Sequence, residues 1–253
     1  MSVIGKLKVH LLRRLGRPII ARTNRFGLLL VDDANWLSRA IWTGVDVEKD
    51  ELDQFESVMD RLRPEIVVDA GANIGLYTLA ACRLGAPEIV AFEPNPVVYT
   101  HLAGNVFLNG FADRVRLHEC ALGADDGEGD LFLCDRHAEV STLRPSAMEK
   151  SFSYQRSRTV RVARFDSLYQ WTGRRILIKV DVEGFEDQVL AGMAQLLERN
   201  QIVLMVEIFQ SDSPAFAMLQ ALGYAKTGQF GRNFWFEKAG LSSSEISEQI
   251  GAR

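Results

Sequence analysis

Three cysteines, no long apolar run and little excess charge bound what this 253-residue chain can be. Cys82, Cys120 and Cys134 are scattered, odd in number and without C-x-x-C spacing, so no disulfide frame is indicated and a reducing cytosol fits. No stretch of eighteen apolar residues occurs, and no continuous apolar segment precedes a small-residue cleavage site near the start. An unexported, cytoplasmic protein is the expectation. Internal repeats are absent too. The four histidines, His10, His101, His118 and His137, form no ligand spacing and read as structural, with His137 left open because it lies in a long polar loop.

What is present is ordinary for a soluble globular protein: 47% hydrophobic and 25% charged residues. The net charge of -4 conceals an asymmetry. Lys6, Lys8, Arg13, Arg14, Arg17, Arg22 and Arg25 have no acid among them, so the chain beyond residue 31 stands at -11. So acidic a remainder argues against a nucleic-acid groove. Val3, Ile4, Leu7, Leu11, Leu12 and Leu15 suggest a basic amphipathic helix over 3–16, which would pack on its own domain, meet a second copy, or touch a membrane surface.

Beyond it, 26–31 reads as a short strand and 50–62 as a helix, with Leu52, Phe55, Val58, Met59 and Leu62 on one stripe. Short apolar runs then alternate with helical stretches. The runs are 66–69, 89–93, 115–119, 176–181 and 202–208; the helices are 76–84, 97–109 and 186–198. This alternation predicts an α/β, Rossmann-like doubly wound sheet. A helix over 214–222 and a hairpin of 224–227 with 233–238 would follow at the sheet edge. Between the third and fourth parallel strands, 129–134 and 159–162 read as paired strands around a polar segment, 135–158, long enough to be a lid or a solvated insertion. The organisation expected is a basic extension over 1–48, one domain over 49–240 and a polar tail over 241–253.

Chemistry concentrates at strand ends. After the first run, Asp69, Gly71, Asn73 and Gly75 form Asp-x-Gly-x-x-x-Gly, a turn that brings backbone close to a nucleotide-like ligand, or a turn with no ligand. Asn73 stands where a dinucleotide loop needs its second glycine, which disfavours a pyrophosphate and a nicotinamide-dependent oxidoreductase. The second run ends in Glu93-Pro94-Asn95, and a carboxylate at that register can accept both ribose hydroxyls of an adenosine. The fourth ends in Lys179-Val180-Asp181-Val182-Glu183-Gly184, placing three charges on one side if extended. Its plainer interpretation pairs Lys179 with a carboxylate and starts a helix at Glu183-Gly184. Glu207, ending the fifth run, would lie beside Asp181 if those strands are neighbours. Two adjacent acids hold a divalent cation, activate a hydroxyl or share a proton.

Taken together, Val68 to Gly75, Ala91 to Pro96, Asn105 to Asn109, Ala121-Leu122-Gly123, Ser141-Thr142-Leu143 and Ile178 to Gly184 resemble the FkbM methyltransferases, within the class I S-adenosylmethionine-dependent fold. The resemblance covers roughly residues 65–210. It implies a sheet of about seven strands, the last antiparallel. It places the methionine end of S-adenosylmethionine on Asp69, Gly71, Asn73 and Gly75, near Asp181, the ribose on Glu93 beside Pro94, and the adenine near Cys120, Ala121 and Asn95. It further implies O-methylation of a sugar, glycan, lipid-linked or polyketide acceptor. On chemical grounds Asp181 is the expected base, with Glu183 and Glu207 orienting the acceptor, or with Asp181 and Glu207 holding a cation. A binding protein that keeps the fold without catalysis is the rival from another class.

Overall fold

In the computed structural model, which describes residues 3–134, 137–147 and 153–238, the N-terminal extension is built into the core. Helix α1 (Val3–Leu15) is followed by the antiparallel pair β1 (Ile19–Thr23) and β2 (Gly27–Val31), then by α2 (Trp36–Thr43) and α3 (Lys49–Leu62). Leu12, Phe26, Leu29, Val31 and Leu37 are buried in the same apolar cluster as Leu76 and Leu79. Each such side chain contributes about 1.5–3 kcal/mol on leaving water. On α1, Leu12 turns inward, whereas Leu7, Leu11 and Leu15 remain exposed. Lys8 Nζ donates to the Trp42 carbonyl and Trp42 Nε1 returns a bond to the Lys8 carbonyl, joining α1 to α2. Neither β1 nor α2 is foreseen from the sequence, although Asn35 caps α2 by accepting from the Ser38 N–H and Gly44 closes it in the left-handed region.

The central domain runs β3 (Ile66–Ala70), α4 (Leu76–Arg83), β4 (Glu88–Phe92), α5 (Pro96–Leu108), β5 (Val115–His118), β6 (Ala121–Gly123), β7 (Gly127–Cys134) and β8 (Tyr154–Arg164). It continues through α6 (Phe165–Leu168), β9 (Arg175–Val180), α7 (Glu186–Gly192), α8 (Ala194–Arg199), β10 (Gln201–Glu207), α9 (Pro214–Ala221), β11 (Tyr224–Phe230) and β12 (Asn233–Lys238). Seven strands form the main sheet in the order β11-β12-β10-β9-β3-β4-β5. The five central apolar runs pair in parallel, and β12 is antiparallel to β10, as the sequence predicts. Alternate residues separate the faces: Val67, Ile89, Leu177 and Val203 pack toward α3 and α4, while Val68, Val90, Ile178 and Leu204 pack toward α7, α8 and α9.

The strands expected over 129–134 and 159–162 extend into β7 and β8, which pair from Gly127–Val162 to Cys134–Tyr154 and form a second sheet with β6. The expected single helix over 186–198 is two helices. Asp166 caps the second by accepting from the N–H groups of Gln195 and Leu196, and a Cβ on Gly192 would lie 2.0 Å from the Gly123 carbonyl oxygen. The helix therefore closes against β6 at Gly192 and restarts. The tail expected over 241–253 lies outside the described residues, as do 148–152 of the polar segment.

Candidate active site

The ends of β3, β4, β9 and β10 open on a cleft. Gly71, Asn73, Glu93, Pro94, Cys120, Ala121, Asp181, Glu183 and Glu207 all line it. Three other expected residues stand behind its wall. Asp69 is buried and accepts from the Thr78 hydroxyl at 2.6 Å, Gly75 caps α4 at φ 93°, and Asn95 caps α5 through the Val97 N–H.

The glycine loop shapes the cleft through its backbone. Gly71 has φ 82°, and a Cβ there would stand 1.8 Å from the Asp181 carbonyl oxygen, so only glycine lets the β3 turn close on the end of β9. The N–H groups of Gly71 and Ala72 both donate to the Phe92 carbonyl oxygen. They are engaged with protein and do not form a phosphate cradle, which agrees with the sequence argument from Asn73. Asn73, itself at φ 53°, donates its N–H to Glu93 Oε2 at 2.9 Å, while the Asn95 N–H reaches Glu93 Oε1 at 2.8 Å. Burial pushes the Glu93 carboxyl up to about 7 against the pull of those two donors. Each oxygen retains a lone pair for a hydroxyl from the cleft.

Beside this carboxylate, Asp181, Glu183 and Glu207 offer ligand atoms that all lie within 4.8 Å of one another. Asp181 and Glu207 come from the ends of neighbouring strands, as expected, and only Glu183 departs from an extended register. Strand β9 stops at Val180 and Glu183 sits at φ 55°, so Glu183 reaches the cluster from a turn. Lys179, opposite Asp69 in the sheet register, extends its Nζ to Asp181 Oδ2 at 2.7 Å. Burial raises the Asp181 carboxyl, but the Lys179 charge and hydrogen bonds from Glu207 and Lys179 hold it below the ordinary aspartate value. Burial and then the Asp181 charge push Glu207 up to about 11 and Glu183 up to about 9. The three carboxyls titrate together, with Asp181 drawn toward the charged form and Glu183 and Glu207 toward the protonated form.

The sequence reading misses the part of the wall that comes from the extension. Glu48, in the left-handed region ahead of α3, lines the cleft and shares a hydrogen bond with Tyr77; burial raises its carboxyl while Lys179 opposes the rise. Asn35 Nδ2 holds Asn73 Oδ1 at 2.9 Å. Glu139 Oε2 accepts the Trp36 N–H at 2.9 Å, and its Oε1 lies 2.8 Å from His137 Nδ1, which joins the long segment to α2. The N-cap pattern at Asn35 was the available signal for that contact. Glu48 had none.

Fold and site together define a methyltransferase domain. Residues 69–226 match the Methyltransferase FkbM domain, and the chain belongs to that family. Methyltransferase sdnD of Sordaria araneosa is 32% identical over 167 residues, 54% of this chain and 64% of that protein. This chain thus spans slightly under two thirds of that relative. Methyltransferase 1 of Beauveria bassiana is 29% identical over 63% of this chain and 72% of its own length. Hexuronic acid methyltransferase AglP of Haloferax volcanii is 28% identical over 78% of this chain and 77% of its own.

Proposed function

We propose that this chain is an S-adenosylmethionine-dependent O-methyltransferase acting on a hydroxyl of a sugar, glycan or polyketide-type acceptor. The observation that carries the reading is the convergence of Asp181, Glu183 and Glu207 in the same cleft as the buried, doubly hydrogen-bonded Glu93. When bound, S-adenosylmethionine supplies an electrophilic methyl carbon on a sulfonium. Glu93 would hold its ribose hydroxyls, Gly71 and Asn73 its methionine end, and Cys120 and Ala121 would flank its base. The name of AglP, a hexuronic acid methyltransferase, supports a sugar acceptor.

An alcohol must lose its proton near the transition state, and a positioned base contributes about 100-fold or more. Asp181 takes that role because it lines the cleft at the end of β9 with Glu183 and Glu207 close enough to meet the same hydroxyl. Glu183 and Glu207 orient the hydroxyl, while Trp36, Leu143 and Phe185 on the cleft wall keep water from it. The cytoplasm is the setting of this reading, in keeping with the unpaired thiols of Cys82, Cys120 and Cys134.

Labelled methyl transfer to sugar, glycolipid and polyketide acceptors, with products mapped by mass spectrometry, tests the activity; a chain that binds cofactor and labels nothing is the scaffold alternative. Asp181→Asn should lower turnover about 100-fold with cofactor affinity unchanged, and near-normal turnover removes the base assignment. A second form of the reading, in which Asp181 and Glu207 hold a divalent cation, is favoured by the close approach of the three carboxyls. Activity that survives exhaustive chelation removes it.

A further inference from the structure

The side-chain amide of Asn35 is engaged at both ends. Its Oδ1 accepts the Ser38 N–H at 3.2 Å as the cap of α2, and its Nδ2 donates to Asn73 Oδ1 at 2.9 Å. Asn73 Oδ1 also accepts the Ile74 N–H at 2.8 Å, so the atom facing Asn35 is an oxygen and Asn35 must offer it a nitrogen. Capping alone does not ask for an amide. Aspartate and serine cap a helix about as well, but an ionised aspartate donates nothing and a hydroxyl occupies one point where an amide spans two. Asn35 is buried, and the turn ahead of it is fixed in its own right: Asp32 Oδ1 accepts the N–H groups of Ala34 at 3.0 Å and Asn35 at 3.3 Å, while Asp32 Oδ2 lies 3.2 Å from His101 Nε2 on α5.

Across this contact, Asn73 lines the cleft at φ 53°. Its Oδ1 is held twice and its N–H is spent on Glu93, whereas its Nδ2 has no protein partner among the described residues. Resting on the methyl-transfer reading, we propose that Asn35 is a positioning residue for the cofactor: by holding Asn73 Oδ1, it reserves the Asn73 Nδ2 donor for the carboxylate at the methionine end of S-adenosylmethionine. A freely turning amide would present its oxygen to that carboxylate as readily as its nitrogen, and two oxygens repel where an N–H to a carboxylate attracts. Asn35 precedes residues 69–226, which match the FkbM domain, so this chain's extension completes a loop that the domain begins.

The test measures affinity of the full chain for S-adenosylhomocysteine by calorimetry. Asn35→Ser keeps a cap and removes the amide donor without adding charge, and its Tm should stay within a few degrees of the wild type. Its affinity should fall about fivefold or more, in line with a weakened hydrogen bond to a charged group. Asn35→Asp, an equally good cap, should weaken binding at least as much. Asn73→Gly keeps the left-handed backbone but has no amide, and on that background Asn35→Ser should cost less than about twofold. Binding of 5′-methylthioadenosine, which has no amino-acid end, should likewise weaken less than about twofold in Asn35→Ser. Unchanged affinity in Asn35→Ser, an equal loss on the Asn73→Gly background, or an equal loss for 5′-methylthioadenosine overturns the inference and leaves the methyl-transfer reading standing. A wild-type chain that binds no S-adenosylhomocysteine overturns both.

Discussion

The Thr142 hydroxyl donates to the Glu183 carbonyl oxygen at 2.6 Å, from a side chain that is completely buried. The same hydroxyl accepts the Arg144 N–H at 2.9 Å. One residue of the long segment thus holds the turn that presents Glu183 to the cleft. Thr142→Val preserves shape but leaves a carbonyl and an N–H unpaired, which should cost about 1–3 kcal/mol in urea unfolding. The acceptor KM should rise while cofactor affinity stays at the wild-type value; unchanged KM would show that Glu183 is placed by other contacts.

Gly71→Ala tests the closest backbone approach in the site. The residue must keep φ near 82°, and its new methyl must displace the Asp181 carbonyl. Backbone strain alone is worth about 1–3 kcal/mol. Stability should fall by at least that amount, with cofactor binding lost before the fold, read by calorimetry beside a denaturation curve.

Glu93 makes cofactor affinity depend on pH. Its carboxyl is pushed up to about 7, and only the charged form accepts from two ribose hydroxyls. Affinity for S-adenosylhomocysteine should therefore climb from pH 6 to pH 8, by up to tenfold per unit below 7, and level off above. Glu186 is also pushed up to about 7, so Glu93→Gln supplies the control. That variant should bind at least tenfold more weakly at pH 8 and lose the slope.

Glu207 should make the protein less stable as pH rises. Its folded value is raised to about 11 from an ordinary 4.5, so the folded chain keeps a proton that the unfolded chain releases anywhere between those values. Raising pH through that window draws the equilibrium toward unfolding. Glu207→Gln retains a donor for Asp181 without this linkage. Its Tm should match the wild type near pH 4 and exceed it at pH 8, by about 2–4 °C for each kcal/mol regained. An equal Tm at both pH values would mean that Glu207 is ionised in the fold.

Legibility followed the range of the interactions. The run of apolar residues at 66–69, 89–93 and 176–181 announces parallel strands because both sheet faces are covered, and every residue from Ile66 to Ala70 is buried. The break between α7 and α8 was hidden because its causes, Asp166 and Gly123, lie far upstream of it. Whether Glu183 continues the strand or begins a turn stayed open in the sequence, because alternation of charges at 179, 181 and 183 looks the same either way. Asn35 carries only an N-cap pattern and Glu48 none; Asn35 reaches Asn73, and Glu48 the cleft, because the extension folds over the end of the sheet.

By itself, the sequence determined the alternating strands and helices, the glycine at 71 and the acids at the strand ends, since each rests on local periodicity or on a backbone angle a side chain forbids. Which acids face one another, which keeps its charge and which stands behind the wall were decided by tertiary structure. Those properties depend on burial and on the position of one lysine, and Lys179 acquires its effect on Asp181 only when β9 is enclosed between β3 and β10.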